Sequence, residues 1–136
     1  MKPFEHIIYV QPEDIDDLGH VNNVIYVRYV QEIASAHWDV LASEEIQERW
    51  HWVVIRHEID YRNPAFAHDT LVGSTWVESV DGAKSVRIVK LISRKTSKMV
   101  VEARTTWCLI DADSMRPARI PAEVEKLLLS ATGPHL

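Results

Sequence analysis

The sequence predicts a single α+β domain in which one antiparallel sheet wraps around one long central helix. Three observations carry this expectation. A helical apolar period appears at length once, from Asn23 to Leu41. A period of two then dominates from Val53 to Ile110, in segments joined by short polar turns. Finally, 136 residues with 46% apolar and 26% charged side chains are enough for one core, and no linker or repeat divides residues 1–136.

Taken in order, Phe4 to Val10 alternates with β-formers and reads as a strand, with Phe4, His6, Ile8 and Val10 on one side. Gln11 to Asn22 has no apolar period and contains Pro12 and Gly19, so it is a loop. In the helix that follows, Tyr26, Val30, Ile33, His37, Val40 and Leu41 recur at three- and four-residue steps, and Asn22 or Asn23 supplies the N-cap. The additional Val24, Ile25 and Val27 make it apolar around most of its circumference, as expected of a helix enclosed by other structure. Arg28 and Glu32 stand four residues apart and are expected to pair on its surface.

A polar connection from Glu44 to Trp50 precedes a long strand with Val53, Ile55, His57, Ile59 and Tyr61 on one face, ending near Asn63-Pro64. Thr70 to Val80 and Val86 to Ser93 are the arms of a hairpin turning at Asp81-Gly82. After the turn Arg94 to Lys98, Met99 to Ile110 alternates again. Asp111 to Pro117 is a loop, and Pro121 to Leu129 a short helix begun by a proline.

Composition narrows the function. A formal charge of −5 argues against a nucleic-acid binder working by phosphate neutralisation. One cysteine leaves no disulfide framework or Cys-based zinc site, and the seven His lack metal-ligand spacing, so no metal is expected. No apolar run approaches a membrane span, and no signal-peptide pattern opens the chain, so the expected location is cytoplasmic and no membrane partner is expected.

Chemistry concentrates at Asp14-Ile15-Asp16-Asp17-Leu18-Gly19-His20-Val21-Asn22-Asn23-Val24-Ile25-Tyr26. Acids, a Gly, a His and two Asn meet a helix N-terminus there, where unpaired N–H groups favour developing negative charge. The same acids also suit Asx turns and a cap. The D-x-D-x-x-G run followed by the helix resembles the 4-hydroxybenzoyl-CoA thioesterase-like family of hotdog-fold acyl-CoA thioesterases, and the HVNNxxY continuation is similar to acyl-ACP thioesterases. Arg56 to Tyr61, Pro64, Asp69, Arg116-Pro117 and Ile120-Pro121 extend the resemblance over most of the chain.

The resemblance implies a hotdog fold and hydrolysis of an acyl-CoA or acyl-ACP thioester to free acid and thiol, with the thioester as substrate and no separate cofactor. It places the catalytic carboxylate on Asp16 and the carbonyl-polarising amide on the backbone N–H of Asn23, with Gly19 and Asn22 in the substrate-binding turn. A carboxylate beside a helix N-terminus suits this chemistry independently, since a thiolate leaves readily and one acid plus an N–H donor suffice. His20 matches a histidine of the acyl-ACP relatives. However, Leu18 stands where those enzymes carry Asn, which moves the catalytic weight to Asp16. Asp17 stands where aromatic-CoA members commonly carry Pro.

The resemblance also implies that Tyr61, Arg62 and Asn63 line a neighbouring subunit's pocket and that Arg94 and Lys95, with Lys98, meet coenzyme A phosphates. The plainer alternatives are a strand exit and a solvated turn. His57 is expected in the core or an interface, and Trp50, Trp52, Trp76 and Trp107 in core and interface packing. With one long helix for its sheet, the chain is expected to form a homodimer or homotetramer. Two other functions share the fold, an enoyl- or hydroxyacyl-thioester hydratase or dehydratase and a non-catalytic thioester-binding domain. The former usually carries D-x-N-P-x-H, which the D-x-x-x-H spacing here does not match.

Overall fold

The computed structural model describes residues 2–133. Its elements are β1 (Phe4–Tyr9), α1 (Asn23–Leu41), α2 (Glu44–Arg49), β2 (Trp50–Tyr61), β3 (Thr70–Asp81), β4 (Lys84–Ser93), β5 (Met99–Asp111) and α3 (Ala122–Leu128), with a 3-10 turn at Pro12–Asp14. The strands form one sheet in the order β1-β3-β4-β5-β2, and every neighbouring pair is antiparallel. This is the α+β architecture expected from the sequence.

Local chemistry sets the order. Asp81 pairs with Lys84, leaving Gly82-Ala83 as a two-residue turn with Gly82 at φ 63°, so β3 and β4 are neighbours. The Arg94 to Lys98 turn returns the chain as β5, and β2 is left to close the far edge beside it. Cross-strand contacts keep the opposite face of the sheet polar: Arg104 pairs with Glu78, and the Lys90 ammonium lies 5.7 Å from the Trp76 ring centre.

α1 lies on the inner face and buries Tyr26, Tyr29, Val30 and Ile33 among Leu71, Val89, Leu91, Val101 and Ala103. Each such aliphatic side chain contributes about 1.5–3 kcal/mol by leaving water. The helix can approach because β3 carries Gly73 beneath it. A Cβ there would overlap the Ile33 side chain and lie 3.3 Å from the His6 carbonyl oxygen. Only one side of α1 is covered, in contrast to the enclosure expected from its composition: Val24 is 74% exposed and Val40 70%.

Two further features depart from the sequence reading. Glu44 to Trp50 contains the helix α2, capped where the Ser43 hydroxyl accepts from the Ile46 N–H at 3.2 Å and charged favourably by Glu44, Glu45 and Arg49. One and a half turns are too short to show an apolar period. In β2, a bulge between Val54 and Arg56 breaks the alternation. Trp50, Trp52 and Val54 are half-buried before it and His57 and Ile59 after it, while Val53 and Ile55 are exposed. Val53 and Ile55 therefore do not share the face of His57.

Beyond the first core, Val77, Leu109, Ile120, Val124 and Leu128 form a second cluster with Trp38, Ile46, Trp50 and Trp52 against it. Pro121 is the N-cap of α3, one position outside the helix. Between the clusters lies a buried polar layer. Arg87 donates from Nη1 to His37 Nδ1 at 2.8 Å and to Thr75 Oγ1 at 3.0 Å, and Phe4 stacks on the His37 ring at 4.6 Å. Burial, helped by the Arg87 charge, pushes the His37 pKa down from 6.5 to about 4.

The fold therefore favours neutral His37, and this contribution is complete above pH 6.5 and is lost as pH falls towards about 4. Its full size is about 3 kcal/mol. Urea unfolding across that pH interval should show a loss of stability that His37→Gln, which keeps an acceptor for Arg87, reduces. An unchanged slope in the variant would contradict the assignment.

Candidate active site

The loop between β1 and α1 is held from both ends. Asp14 is buried; its carboxylate accepts from Arg28 Nη2 at 2.6 Å, from the Tyr29 hydroxyl at 2.6 Å and from the Gln11 N–H at 3.1 Å. Burial alone would raise its pKa, but the bonds from Tyr29, Gln11 and Arg28 outweigh it and hold the carboxyl below the ordinary 3.8. Tyr29, buried and donating to this anion, is correspondingly harder to ionise. The expected Arg28–Glu32 pair does not form. Arg28 reaches back to Asp14, the more buried anion, and Glu32 meets His6 Nε2 at 3.2 Å.

Between Asp14 and the helix, the chain folds into a closed turn. The Asp16 N–H donates to the His20 carbonyl at 2.7 Å and the Gly19 N–H to the Asp16 carbonyl at 3.1 Å, with Gly19 at φ 81°. Asp16 Oδ1 accepts from the Leu18 N–H at 2.9 Å and the His20 N–H at 3.2 Å. The Asx turn that the sequence offered as the plainer alternative is thus present. It uses one carboxylate oxygen, and Oδ2 has no protein donor among the described residues.

The helix begins where this turn ends. Asn22 is the N-cap, its Oδ1 accepting from the Val24 N–H at 3.0 Å. Asn23 is the first helical residue, and its N–H has no acceptor among the described residues, as the helix geometry requires. Asp16, His20 and Asn23 share a cavity of about 330 Å³ with Tyr26, Tyr61 and Asn63. The Tyr26 hydroxyl accepts from the Ala65 N–H at 3.1 Å and fixes the wall behind. An open groove over Val24, Val27, Gln31 and Tyr61 continues from this cavity along α1.

The structure thus brings Asp16, His20, Asn23, Tyr61, Arg62 and Asn63 to one cavity. Gly19, in the turn, and Asn22, the N-cap, do not line it. The His20 ring packs edge-on against Phe66, centroids 5.3 Å apart, and makes no hydrogen bond to the Asp16 side chain. Arg62 pairs with Glu102 at 3.2 Å, and Asn63 Nδ2 donates to the Met99 carbonyl at 2.7 Å, so both also hold the strand exit. Arg94 and Lys95 are exposed, outside the cavity, on a turn held by Asp69. That buried carboxylate accepts from the Ser93 hydroxyl at 2.5 Å and the Lys95 N–H at 3.3 Å. His57 is half-buried, with Nδ1 2.8 Å from Thr105 Oγ1, and burial lowers its pKa.

The family model of the Thioesterase-like superfamily matches residues 10–128 of the chain. The long-chain acyl-CoA thioesterase FadM of Escherichia coli (strain K12) is 25% identical over 129 residues, covering 89% of this chain and 93% of FadM. Among solved structures, a 1,4-dihydroxy-2-naphthoyl-CoA thioesterase from Synechocystis superposes with a TM-score of 0.79 at 15% identity, covering 92% of this chain and 94% of that one. A thioesterase from Thermus thermophilus, complexed with coenzyme A and Zn, gives 0.82 at 20% identity, covering 94% of each. These two likenesses establish the hotdog fold.

Proposed function

The chain belongs to the thioesterase-like superfamily, and on that basis we propose that it is an acyl-CoA thioesterase that hydrolyses its substrate to a free acid and coenzyme A. The observation that carries the reading is that Asp16 and Asn23 line one cavity, the former with a carboxylate oxygen and the latter with a backbone N–H that have no protein partner among the described residues. A thioester carbonyl oxygen placed on that N–H is polarised by it and by the helix N-terminus. Asp16 Oδ2 then either attacks the carbonyl carbon, expelling the thiolate and leaving an acyl-Asp16 anhydride that water hydrolyses to the free acid, or takes a proton from a water that attacks the carbonyl carbon as the thiolate leaves. The fixed Oδ1 keeps the carboxylate oriented for either route. His20, whose ring makes no bond to that carboxylate, takes a positioning part in the wall, and its backbone N–H holds Oδ1.

A fatty acyl group is the proposed cargo, supported by the name of the FadM relative and by the Val24–Val27 groove. Coenzyme A is the proposed carrier, its phosphates falling to the basic turn at Arg94 and Lys95, where ammonium and guanidinium groups suit them. Cys108 is a free buried thiol, compatible with a reducing compartment, and the cytoplasm is the proposed location. A panel of acyl-CoA esters followed by thiol trapping tests the function. Thiol release that increases with acyl length is expected. Hydration of an enoyl-CoA without thiol release, or saturable binding without turnover, would overturn it.

We further propose a homodimer, or a pair of dimers, built on β2. This twelve-residue strand has an outer edge unpaired among the described residues, and Val53 and Ile55 are 44% and 50% exposed on it. Tyr61 to Asn63, at its end, would bring a second copy to the mouth of the Asp16 cavity. Light scattering at micromolar concentration should give at least twice the chain mass, and monomer alone would refute the assembly.

A further inference from the structure

The second half of α1 stands over another cavity, of about 270 Å³, which shares no lining residue with that of Asp16. Ser35 lines it and lies about 18 Å along the helix from Asn23. Its walls are Trp38, Trp50, Trp52 and Trp107, with Ser85 and Arg87 on the sheet side.

Two features of this cavity lack partners. Arg87 is 5% exposed, yet no carboxylate lies within ion-pair distance of it among the described residues. Its Nη1 is used by His37 and Thr75, and its other donors meet no protein acceptor among those residues. The Trp107 indole N–H is buried with no hydrogen-bond partner among them. A guanidinium withdrawn from water without a counter-anion is costly to the fold, as is an indole N–H without an acceptor. His37 adds no positive charge, since its Nδ1 accepts from Arg87. Burial lowers the Arg87 pKa only to about 10, which leaves it charged at neutral pH.

We propose that this cavity is a binding site for a small free carboxylic acid with a flat, apolar body, its carboxylate on Arg87 and its ring between the tryptophans. The guanidinium presents its remaining donors to one planar anion, and the indole walls suit a ring. A single buried cation favours one negative charge over the two of a phosphate monoester. Asp39 and His51, the other charged or titratable groups lining the cavity, are both exposed, and Asp39 at the rim works against a second negative charge. The volume accommodates a one-ring acid. Within one chain the cavity is separate from that of Asp16, so the proposed occupant is a free acid and not the reacting end of a thioester held at the same chain's Asp16.

The test uses the full chain, nitrogen-15 labelled, titrated with benzoate and with its neutral isostere benzamide while the indole N–H signals are followed. Trp107→Phe assigns the diagnostic signal. Benzoate should move the Trp107 signal and bind about tenfold more tightly than benzamide, the difference expected for a hydrogen bond to a charged group. Arg87→Gln should abolish that preference. Equal binding of benzoate and benzamide, or a Trp107 signal unmoved by millimolar benzoate, would overturn the proposal. The comparison of the two ligands on the unmodified chain decides the matter even if Arg87→Gln fails to fold. Binding is read without turnover, so the outcome is independent of the thioesterase reading.

Discussion

Asp14→Ala should cost the fold about 3 kcal/mol, most of it from the buried end of the network. The carboxylate is 1% exposed, and its loss strands the Tyr29 hydroxyl and the Gln11 N–H in a space that no other acceptor fills. Arg28 is 58% exposed and recovers water, so its ion pair adds little to the loss. Because the fold holds Asp14 below the ordinary 3.8, its contribution is complete above that pH and is lost as pH falls through the native value. Urea unfolding of wild type and Asp14→Ala should therefore converge in acid. A difference below about 0.5 kcal/mol at neutral pH, the range of an ordinary surface change, would contradict the anchoring role.

Asp16→Asn should have the opposite profile, with stability retained and turnover reduced about 10²–10⁴-fold, the range for removing a positioned base or nucleophile. The amide oxygen can still accept from the Leu18 and His20 N–H groups that Oδ1 now accepts from, at 2.9 and 3.2 Å. The turn that presents residue 16 therefore survives. What is lost is the second oxygen as an anion, and an amide neither takes a proton from water nor attacks a carbonyl usefully. Asp16→Ala removes the turn acceptor as well and should lower both stability and rate. Circular dichroism and thermal melting of the two variants separate these effects; a marked loss of stability in Asp16→Asn would assign the residue to structure.

The loop and its helix were legible because the local chemistry is dense. Gly19, Asp16 and Asn22 do in the structure what their residue types predict in a turn and at a cap. The antiparallel sheet followed from period-two segments and short turns. What escaped the sequence depends on distant partners or broken phase. The Arg28–Glu32 pair had correct helical spacing but lost to Asp14, which becomes a neighbour only once the loop folds. The Val54/Arg56 bulge reverses a face that strict alternation assigns wrongly. Tyr26 reads as a core residue and is buried, as is Tyr29, but their hydroxyls hold the site: Tyr29 on Asp14, Tyr26 on Ala65. Helical spacing reports burial and not the partner of a hydroxyl. Arg87 was unreadable for the same reason, since nothing along β4 reveals that no acid faces it.

The most direct test of the proposed enzyme compares wild type and Asp16→Asn, at equal concentration and equal thermal stability, on one long-chain acyl-CoA, quantifying free thiol and free acid together. The account predicts many equimolar turnovers for wild type and a rate at least about a hundredfold lower for the variant. No thiol release by wild type, or full turnover by Asp16→Asn, would contradict it.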